Sequence, residues 1–187
     1  MIAYAFCGSF CTLSHSLAAL RRLRADGYDD ILPIMSDAVY NTDTRFWKAE
    51  EFRRTVEGLC GRSIVHTVVD AEPLGPSLSA DALVIAPCTG NTLAKLANAI
   101  TDGPVTMAAK AHLRSDRPTL LALASNDSLS AGLHNIATLL ARKNVFFVPM
   151  RQDDPLKKPH SLVADFTQIS ECLEDCMMGR QRRPLFL

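Results

Sequence analysis

The sequence predicts an α/β protein in which a doubly wound, mainly parallel sheet has helices on both faces, a three-layer sandwich of the flavodoxin or Rossmann type. Short apolar runs of strand length recur along the chain, and amphipathic segments with helical spacing separate most of them. The 187 residues, 48% of them hydrophobic, are enough to bury one substantial core. This alternation, in a chain of this length, favours a parallel sheet within a single domain over residues 1–187.

Local patterns place the individual elements. A first amphipathic helix is predicted over Ser14–Asp26, where leucines recur every three or four residues. A second spans Thr44–Cys60 and ends at Gly61, since glycine readily adopts the left-handed conformation that follows a helix. Helical segments at Val105–Leu113 and Ala131–Lys143 flank the fifth strand. The strands are predicted at Ile2–Phe6, Ile31–Met35, Ile64–Val69, Leu83–Ala86, Thr119–Ala124 and Val145–Pro149.

The last part of the chain, residues 151–187, has a different pattern. Arg151–His160 is polar and contains two prolines, so we expect an extended loop there. A helix is predicted to follow at Val163–Met178. The loop is either a solvated connection or a lid or clamp over a substrate.

Charge and cysteine content bear on compartment and partners. Twenty basic residues balance twenty acidic ones, which disfavours nucleic acid or an anionic membrane as a partner. The N-terminus has no secretory pattern, and no apolar run approaches the ~20 residues that span a bilayer, so we expect a cytoplasmic protein. Six cysteines fit a reducing compartment. Cys172 and Cys176, four residues apart on a predicted helix, leave a metal site open, but buried free thiols are favoured because neither a Cys-x-x-Cys pair nor a neighbouring histidine completes it.

Small and hydroxyl-bearing residues follow three of the predicted strands. Strand one leads into the Gly8–Thr12 loop, and strand two ends at Ser36. The turn Pro87–Thr92 joins an apolar strand to a helix. Open α/β sheets bind ligands beyond the carboxyl ends of their strands, and amides at a helix start favour anions. The pattern therefore predicts a site for a planar, phosphorylated ligand.

A dinucleotide-binding fold is the natural alternative. It would need Gly-x-Gly-x-x-Gly after strand one and an acidic residue at the end of strand two. This chain has Gly8 alone in the first loop, and its second strand ends at Ser36. Both differences disfavour NAD as the ligand of this chain.

These segments resemble the flavoprotein family that includes phosphopantothenoylcysteine decarboxylases, peptidyl-cysteine decarboxylases and flavin prenyltransferases. Gly8-Ser9, Ser36 and Pro87–Thr92 match the family's FMN-binding segments, and Asn135–Leu139 is similar to its Asn-Leu-Ala-Thr-Leu helix. The resemblance implies FMN as the cofactor, in a family whose members commonly form trimers. The residues implied to hold FMN are Gly8, Ser9, Phe10, Thr12, Ser36, Pro87, Cys88, Thr89, Asn91, Thr92 and Ser125.

The chain also departs from that family. Decarboxylases of the family have a histidine after strand two, whereas Ser36–Thr44 contains none. The family's Pro-x-Met-Asn motif corresponds here to Leu123–Asp127, and its cysteine-bearing flap is not recognisable. These departures disfavour cysteine decarboxylation. They leave Asn126 and Asp127 as candidate catalytic residues, with Asp127 a candidate for proton removal.

Five segments spread over nearly the whole chain show a closer resemblance. They are Asn41–Phe46, Ala71–Pro76, Ile85–Asn91, Met107–Ala111 and Gln152–Pro159. They resemble the B-subunit family of bacterial dipicolinate synthases. The resemblance implies one component of a two-subunit flavin-dependent oxidoreductase that oxidises dihydrodipicolinate to dipicolinate. Its partner would be the A subunit of dipicolinate synthase, which binds a nucleotide, in the mother cell of a sporulating bacterium. A homo-oligomer is also implied.

A dicarboxylate substrate needs cationic partners, and arginine binds carboxylates better than lysine does. Two alternatives remain open: a non-catalytic nucleotide-binding scaffold subunit, and a flavin-dependent decarboxylase of another small acid. The candidate substrate-binding residues are Arg45, Lys110, Arg151, Lys157 and Lys158.

Overall fold

A computed structural model describes residues 1–75 and 77–187 of the chain. Pro76, the last residue of the segment Ala71–Pro76, lies outside the described residues. No helix in the described part is long and apolar enough to cross a membrane. The strands are β1 (Ile2–Phe6), β2 (Ile31–Met35), β3 (Ala82–Cys88), β4 (Thr119–Ser125), β5 (Val145–Phe147), β6 (Met150–Asp154) and β7 (Lys158–Ala164).

The helices alternate with the parallel strands along most of the chain. Two short 3-10 helices, at Phe10–Thr12 and Phe166–Gln168, each precede a longer helix. The α-helices are α1 (Leu13–Ala25), α2 (Asp37–Asn41), α3 (Ala49–Cys60), α4 (Val68–Ala71), α5 (Gly90–Ala97), α6 (Pro104–Arg114), α7 (Leu133–Leu140) and α8 (Ile169–Met177).

The strands form one sheet in the order β2-β1-β3-β4-β7-β6, with β5 also paired to β4. The pairs among β1 to β5 are parallel, whereas β7 runs antiparallel to both β4 and β6. All residues of β1, β2 and β3 are buried, as expected for parallel strands covered on both faces. The predicted α/β class, a doubly wound and mainly parallel sheet, is confirmed.

Two apolar layers enclose the sheet. Tyr4 and Phe6 of β1 pack in the layer formed with α1, α3 and α8. Ala3 and Ala5 of the same strand pack in the opposite layer, with α5, α6 and α7. Alternate residues of a strand point to opposite faces, so one short strand contributes to both layers. The helices thus leave the carboxyl ends of the central strands free for a site.

Two predicted elements between β2 and β3 differ in the structure. Ile64–Val69 is not a strand: Val65 forms only an isolated bridge with Ile34, and α4 begins at Val68. The Thr67 side chain accepts a hydrogen bond from the Asp70 amide, a helix cap that ends the extended segment. The helix predicted from Thr44 begins instead at Ala49.

The later start of α3 has a local cause. Asp43 accepts a hydrogen bond from the Ala49 amide at 2.9 Å, and Thr44 Oγ1 accepts hydrogen bonds from the amides of Phe46 and Trp47. These side chains satisfy the backbone in a turn, which competes with the helix.

The predicted extended loop at Arg151–His160 is wrong, because this segment forms most of the β6–β7 hairpin. At its tip, Asp154 accepts hydrogen bonds from the amides of Leu156 at 3.2 Å and Lys157 at 3.1 Å. The following helix begins at Ile169 rather than Val163. Strand β7 pairs with the carboxyl end of β4, so the hairpin stands beside the predicted site.

Candidate functional site

A cavity of about 1330 Å³ opens at the carboxyl ends of β1, β3 and β4. The loop after β1, the start of α5, the end of β4 and the β6–β7 hairpin all contribute to its wall. Many of the site residues predicted from the sequence therefore lie around one cavity. The predicted site residues that line the cavity are Gly8, Ser9, Phe10, Thr12, Arg45, Thr89, Asn91, Ser125, Asn126, Asp127, Arg151 and Lys158.

The loop after β1 holds its shape through its own hydrogen bonds. The Ser9 carbonyl accepts hydrogen bonds from the Thr12 amide at 3.0 Å and from Thr12 Oγ1 at 2.9 Å. The hydroxyl of Thr12 is thus used within the loop. Ser9 Oγ has no hydrogen-bond partner within the described residues, which leaves it available to a ligand.

Gly8 brings the loops after β1 and β2 together. A Cβ added at Gly8 would lie 3.3 Å from the Cβ of Ala38, which follows Ser36 by two residues. The Ser36 amide donates to the Phe6 carbonyl at 3.0 Å. The Ser36 hydroxyl is buried and has no partner in the described part of the chain, and Ser36 does not line the cavity. An unpaired buried hydroxyl costs ~1–3 kcal/mol, so a ligand oxygen there would be favourable.

Helix α5 begins at the cavity with a side-chain cap. Thr89 Oγ1 accepts a hydrogen bond from the Thr92 amide at 3.1 Å and donates to Thr92 Oγ1 at 3.0 Å. The amides of Gly90 and Asn91 have no acceptor among the residues the structure describes. Free amides and the positive end of the helix dipole thus face this part of the site.

Gly90 also allows a close contact with the end of β4. Ser125 Oγ donates to Asp127 Oδ1 at 2.6 Å. A Cβ added at Gly90 would lie 2.5 Å from Ser125 Oγ and 3.0 Å from Asp127 Oδ1. A hydroxyl and carboxylate therefore occupy the space that any other residue at position 90 would fill.

Besides Ser36, three predicted FMN-binding residues do not line the cavity and lie inside the protein. Cys88 is fully buried, and burial raises the pKa of its thiol. Thr92 is buried and bonded to Thr89. The Pro87 carbonyl accepts a hydrogen bond from the Cys7 amide at 3.2 Å. These residues support the turn that presents Thr89 and Asn91.

A buried network that the sequence did not reveal fixes α1 against the same turn. Ser16 Oγ donates to the Ala86 carbonyl, and the Tyr4 hydroxyl donates to the Ser16 carbonyl at 3.0 Å. Burial raises the pKa of Tyr4 well above its ordinary value, so the phenol stays neutral. The network ties β1, α1 and the end of β3 into one unit behind the cavity.

The five candidate substrate cations fall into separate groups. Arg45 lies over the Phe46 ring, 4.8 Å from its centroid, and Arg151 is exposed on β6. Neither guanidinium has an ion-pair partner within the described part of the chain. Lys158 pairs with Asp153, a bond that raises the pKa of the lysine.

The other two candidate cations lie away from the main cavity. Lys110 lines a separate cavity of about 90 Å³. Lys157, at the hairpin tip, lies outside the main cavity wall.

The cavity also contains residues that sequence reasoning missed. His15 lines its wall and packs edge-on against Phe166, with ring centroids 6.2 Å apart. Ser161, which is 2% exposed, donates to Asn126 Oδ1 at 3.3 Å. No motif distinguishes either residue. The only available signal for His15 was its place in the first turn of the helix that follows the Gly8–Thr12 loop.

The metal alternative has no support from side-chain grouping. In residues 1–75 and 77–187 no cluster of three or more His, Cys, Asp or Glu side chains could hold a metal ion. Cys172 and Cys176 are both buried on α8, and burial raises the pKa of each thiol to about 12.

Comparison with known proteins agrees with this architecture. The B subunit of dipicolinate synthase from Bacillus subtilis (strain 168) is 40% identical over 186 residues, 100% of this chain and 92% of that one. The crystal structure of the dipicolinate synthase B subunit from Bacillus halodurans C is 38% identical, with a TM-score of 0.91 over 100% of this chain and 95% of that chain.

A more distant structure shares the fold. It is a dodecameric FMN-dependent UbiX-like decarboxylase from Escherichia coli O157:H7, 24% identical, with a TM-score of 0.64 over 80% of each chain. The family model described as Flavoprotein matches residues 57–177, more than half of this chain. With that match and the full-length similarity to two B subunits, the chain belongs to the Flavoprotein family.

Proposed function

We propose that this chain binds FMN and oxidises dihydrodipicolinate to dipicolinate during sporulation, together with a second, A-type subunit. The observation that supports this most is the single cavity at the carboxyl edge of the sheet. It brings unpaired hydrogen-bond groups suited to a phosphorylated ligand together with guanidinium groups suited to a dicarboxylate. The full-length similarity to dipicolinate synthase B subunits supports dihydrodipicolinate as that dicarboxylate.

The residues present fit FMN. The cavity, about 1330 Å³, exceeds the ~300–1,000 Å³ of ordinary small-molecule pockets, so FMN and a second small ligand have room side by side. Ser9 Oγ and the amides of Gly90 and Asn91 offer donors that have no partner in the described residues. Ser36, buried beside the same loop, adds a hydroxyl that lacks a partner there.

The charges indicate which end of the site would hold the phosphate. The Asp127 carboxylate lies against the start of α5, close to where a Cβ on Gly90 would be. A second anion at that helix start would be repelled. We therefore assign the phosphate to the Gly8–Thr12 loop, with Ser9 as its ligand on the cavity wall and the buried Ser36 hydroxyl, unpartnered among the described residues, beside the same loop. The start of α5, with Asn91 and Ser125, is left to contact the flavin ring.

The substrate would lie between the flavin and the cationic part of the wall. Its two carboxylates would pair with Arg45 and Arg151, the arginines of the cavity wall that have no ion-pair partner within the described residues. Lys158 is partly neutralised by Asp153 and contributes less. FMN, when bound, supplies a two-electron acceptor for the hydrogens lost as the ring becomes aromatic. The protein's part is to hold the substrate ring and to remove a proton.

The test uses the purified chain with and without its A-type partner. We expect FMN to bind, as measured by quenching of flavin fluorescence, and the complex to form dipicolinate from dihydrodipicolinate. Ser9→Ala and Asn91→Ala should weaken FMN binding. Asn98→Ala, an exposed position near the far end of α5 whose side chain bonds the Ala94 carbonyl, is the matched control.

Three outcomes would contradict the proposal. If no flavin binds at excess FMN, FMN is not the cofactor of this chain. If the A-type partner forms dipicolinate at the full rate on its own, this chain is a scaffold and not a catalytic subunit. Release of carbon dioxide from a cysteine-terminated peptide, with no oxidation of dihydrodipicolinate, makes it a decarboxylase of another acid.

A further inference from the structure

His15 places an imidazole in the wall of the proposed flavin and substrate cavity. The chain has five histidines, and His15 is the one that lines this cavity in the described structure. The others have different surroundings. His66 packs against Tyr40, His112 is fully buried and bonds the Pro118 carbonyl, and His134 and His160 are exposed elsewhere.

The imidazole of His15 is exposed and has no hydrogen bond in the described part of the chain. It stands at the first turn of α1 and meets the ring of Phe166 edge-on, at an interplanar angle of 85°. Phe166 also lines the cavity, is 5% exposed and belongs to the apolar layer, so the imidazole has one fixed neighbour. Neither ring nitrogen of His15 has a partner within residues 1–75 and 77–187. Both are therefore available to a ligand.

The carboxylates around the cavity are already engaged. Asp127 accepts a hydrogen bond from Ser125, and Asp153 pairs with Lys158. Asp165 accepts hydrogen bonds from Thr167 and Gln168. Burial raises the pKa of Asp165, but these hydrogen bonds outweigh burial and leave its pKa below the ordinary value. These carboxylates already have partners, whereas His15 has none within the described residues, and imidazole is the side chain suited to proton transfer near neutral pH.

We propose that His15 is the catalytic base that takes the proton when the substrate ring is dehydrogenated. This rests on the function proposed above. One ring carbon loses a hydride, for which oxidised flavin is the acceptor, and the neighbouring ring atom loses a proton to an imidazole nitrogen. The electron pair of the bond to that proton becomes the new double bond, so two electrons and two hydrogens leave the substrate.

Charged groups of both signs share the cavity wall with His15. They are Arg22 on α1, Arg45, Arg151 and Lys158, together with Asp127, Asp153 and Asp165, and the exposed Cys11 thiol also lines the wall. Arg22 is paired with Asp26, and Lys158 with Asp153. The carboxylates of a bound dicarboxylate would add negative charge beside the imidazolium that forms when His15 takes the proton.

The test follows flavin reduction in the complete two-subunit complex, mixed with dihydrodipicolinate without oxygen. His15→Gln should slow reduction by roughly 10²- to 10⁴-fold. Its FMN affinity, measured separately by fluorescence, should change less than threefold. The pH profile of the reduction rate should also lose the part that depends on a deprotonated group. Added imidazole should restore part of the rate. His134→Gln, an exposed histidine on α7 outside the cavity, is the matched control.

A second readout does not use turnover. Diethyl pyrocarbonate should acylate His15 in the free protein, as seen by mass spectrometry of its peptide. FMN and dipicolinate together should protect His15 and leave His134 reactive. No protection would place His15 outside the ligand contact and overturn the proposal.

The remaining outcomes separate this inference from the proposed function. If His15→Gln reduces flavin at the wild-type rate with the same pH profile, His15 is not the base and the dehydrogenation stands. If Asp127→Asn instead removes the pH dependence, Asp127 is the base. If the wild-type complex does not reduce flavin with this substrate, the proposed function and the role of His15 both fail.

Discussion

At the scale of single residues, Gly90 is the position where one added carbon would disturb the site most. A Cβ there would lie 2.5 Å from Ser125 Oγ, so Gly90→Ala must displace the Ser125 hydroxyl from Asp127. We expect a loss of about 1–2 kcal/mol in the free energy of unfolding, measured in urea, from the broken hydrogen bond and the overpacked contact.

Two comparisons separate this effect from general helix propensity. Gly58→Ala, on α3 with nothing within 4 Å of the added Cβ, should stabilise by about 0.5–1 kcal/mol. In a Ser125→Ala background, Gly90→Ala should cost less because the nearest atom is gone. Equal costs in the two backgrounds would mean that the contact with Ser125 is not responsible.

At the scale of elements, the β6–β7 hairpin supplies only some of its cations to the cavity. Arg151 lines the cavity, whereas Lys157 at the hairpin tip does not. Arg151→Gln should therefore weaken binding of a dicarboxylate by about 10- to 100-fold, the equivalent of one charge-assisted hydrogen bond of ~1.5–3 kcal/mol. Lys157→Gln removes the same charge from the same hairpin and should have little effect. Dipicolinate titration of the FMN-bound protein measures both, and equal losses would indicate a long-range charge effect only.

Strands buried on both faces were the elements that the sequence predicted best. Ile2–Phe6 and Ile31–Met35 have the predicted bounds, because each is a continuous apolar run in the middle of a parallel sheet. The hairpin was missed for the opposite reason. Most residues of β6 and several of β7 are exposed and polar, so their pairing with each other and with β4 leaves no apolar pattern.

The candidate site shows the same division. The position of the motif in the sequence predicted the turn after β3, but it did not predict which side chains of that turn line the cavity. Asn91 lines the cavity, while Cys88, three residues earlier, is fully buried. Substrate-binding cations were still harder to predict. Nothing in the sequence distinguishes Lys110 from Arg151 as a candidate, yet the two residues line different cavities. The tertiary structure alone determines which surface charges come together.

At the scale of the whole molecule, buried thiols make stability depend on alkaline pH. Burial raises the pKa of Cys7 and Cys60 from 9.0 to about 11, and that of Cys172 and Cys176 to about 12. Because the folded pKa values are the higher ones, the unfolded chain releases these protons first. The contribution is complete below pH ~9 and is lost as the pH rises towards 11–12.

Urea unfolding from pH ~7 to pH ~10 measures this dependence. The free energy of unfolding should fall as the pH rises. In Cys176→Ala the slope of this fall with pH should be shallower, although that variant is less stable at neutral pH. Cys11 is the exposed cysteine, so Cys11→Ser should keep the wild-type slope. An unchanged slope in Cys176→Ala would assign the alkaline loss to other groups.

The whole fold should also respond to the proposed cofactor. FMN that binds only the folded chain, at about 100 times its Kd, should raise the free energy of unfolding by about 2.7 kcal/mol. Because Ser9 Oγ has no partner within the described residues, Ser9→Ala should leave the stability of the FMN-free protein nearly unchanged and reduce the gain from FMN. Thr12→Ala should lower the stability of the FMN-free protein and leave the gain from FMN nearly unchanged. Thr12 Oγ1 donates to the Ser9 carbonyl within the loop, so its loss destabilises the protein with or without FMN.

Riboflavin, which lacks the phosphate, should stabilise wild type and Ser9→Ala equally. Thermal unfolding with each ligand distinguishes these cases, and an equal gain from FMN in wild type and Ser9→Ala would place the phosphate away from the Gly8–Thr12 loop.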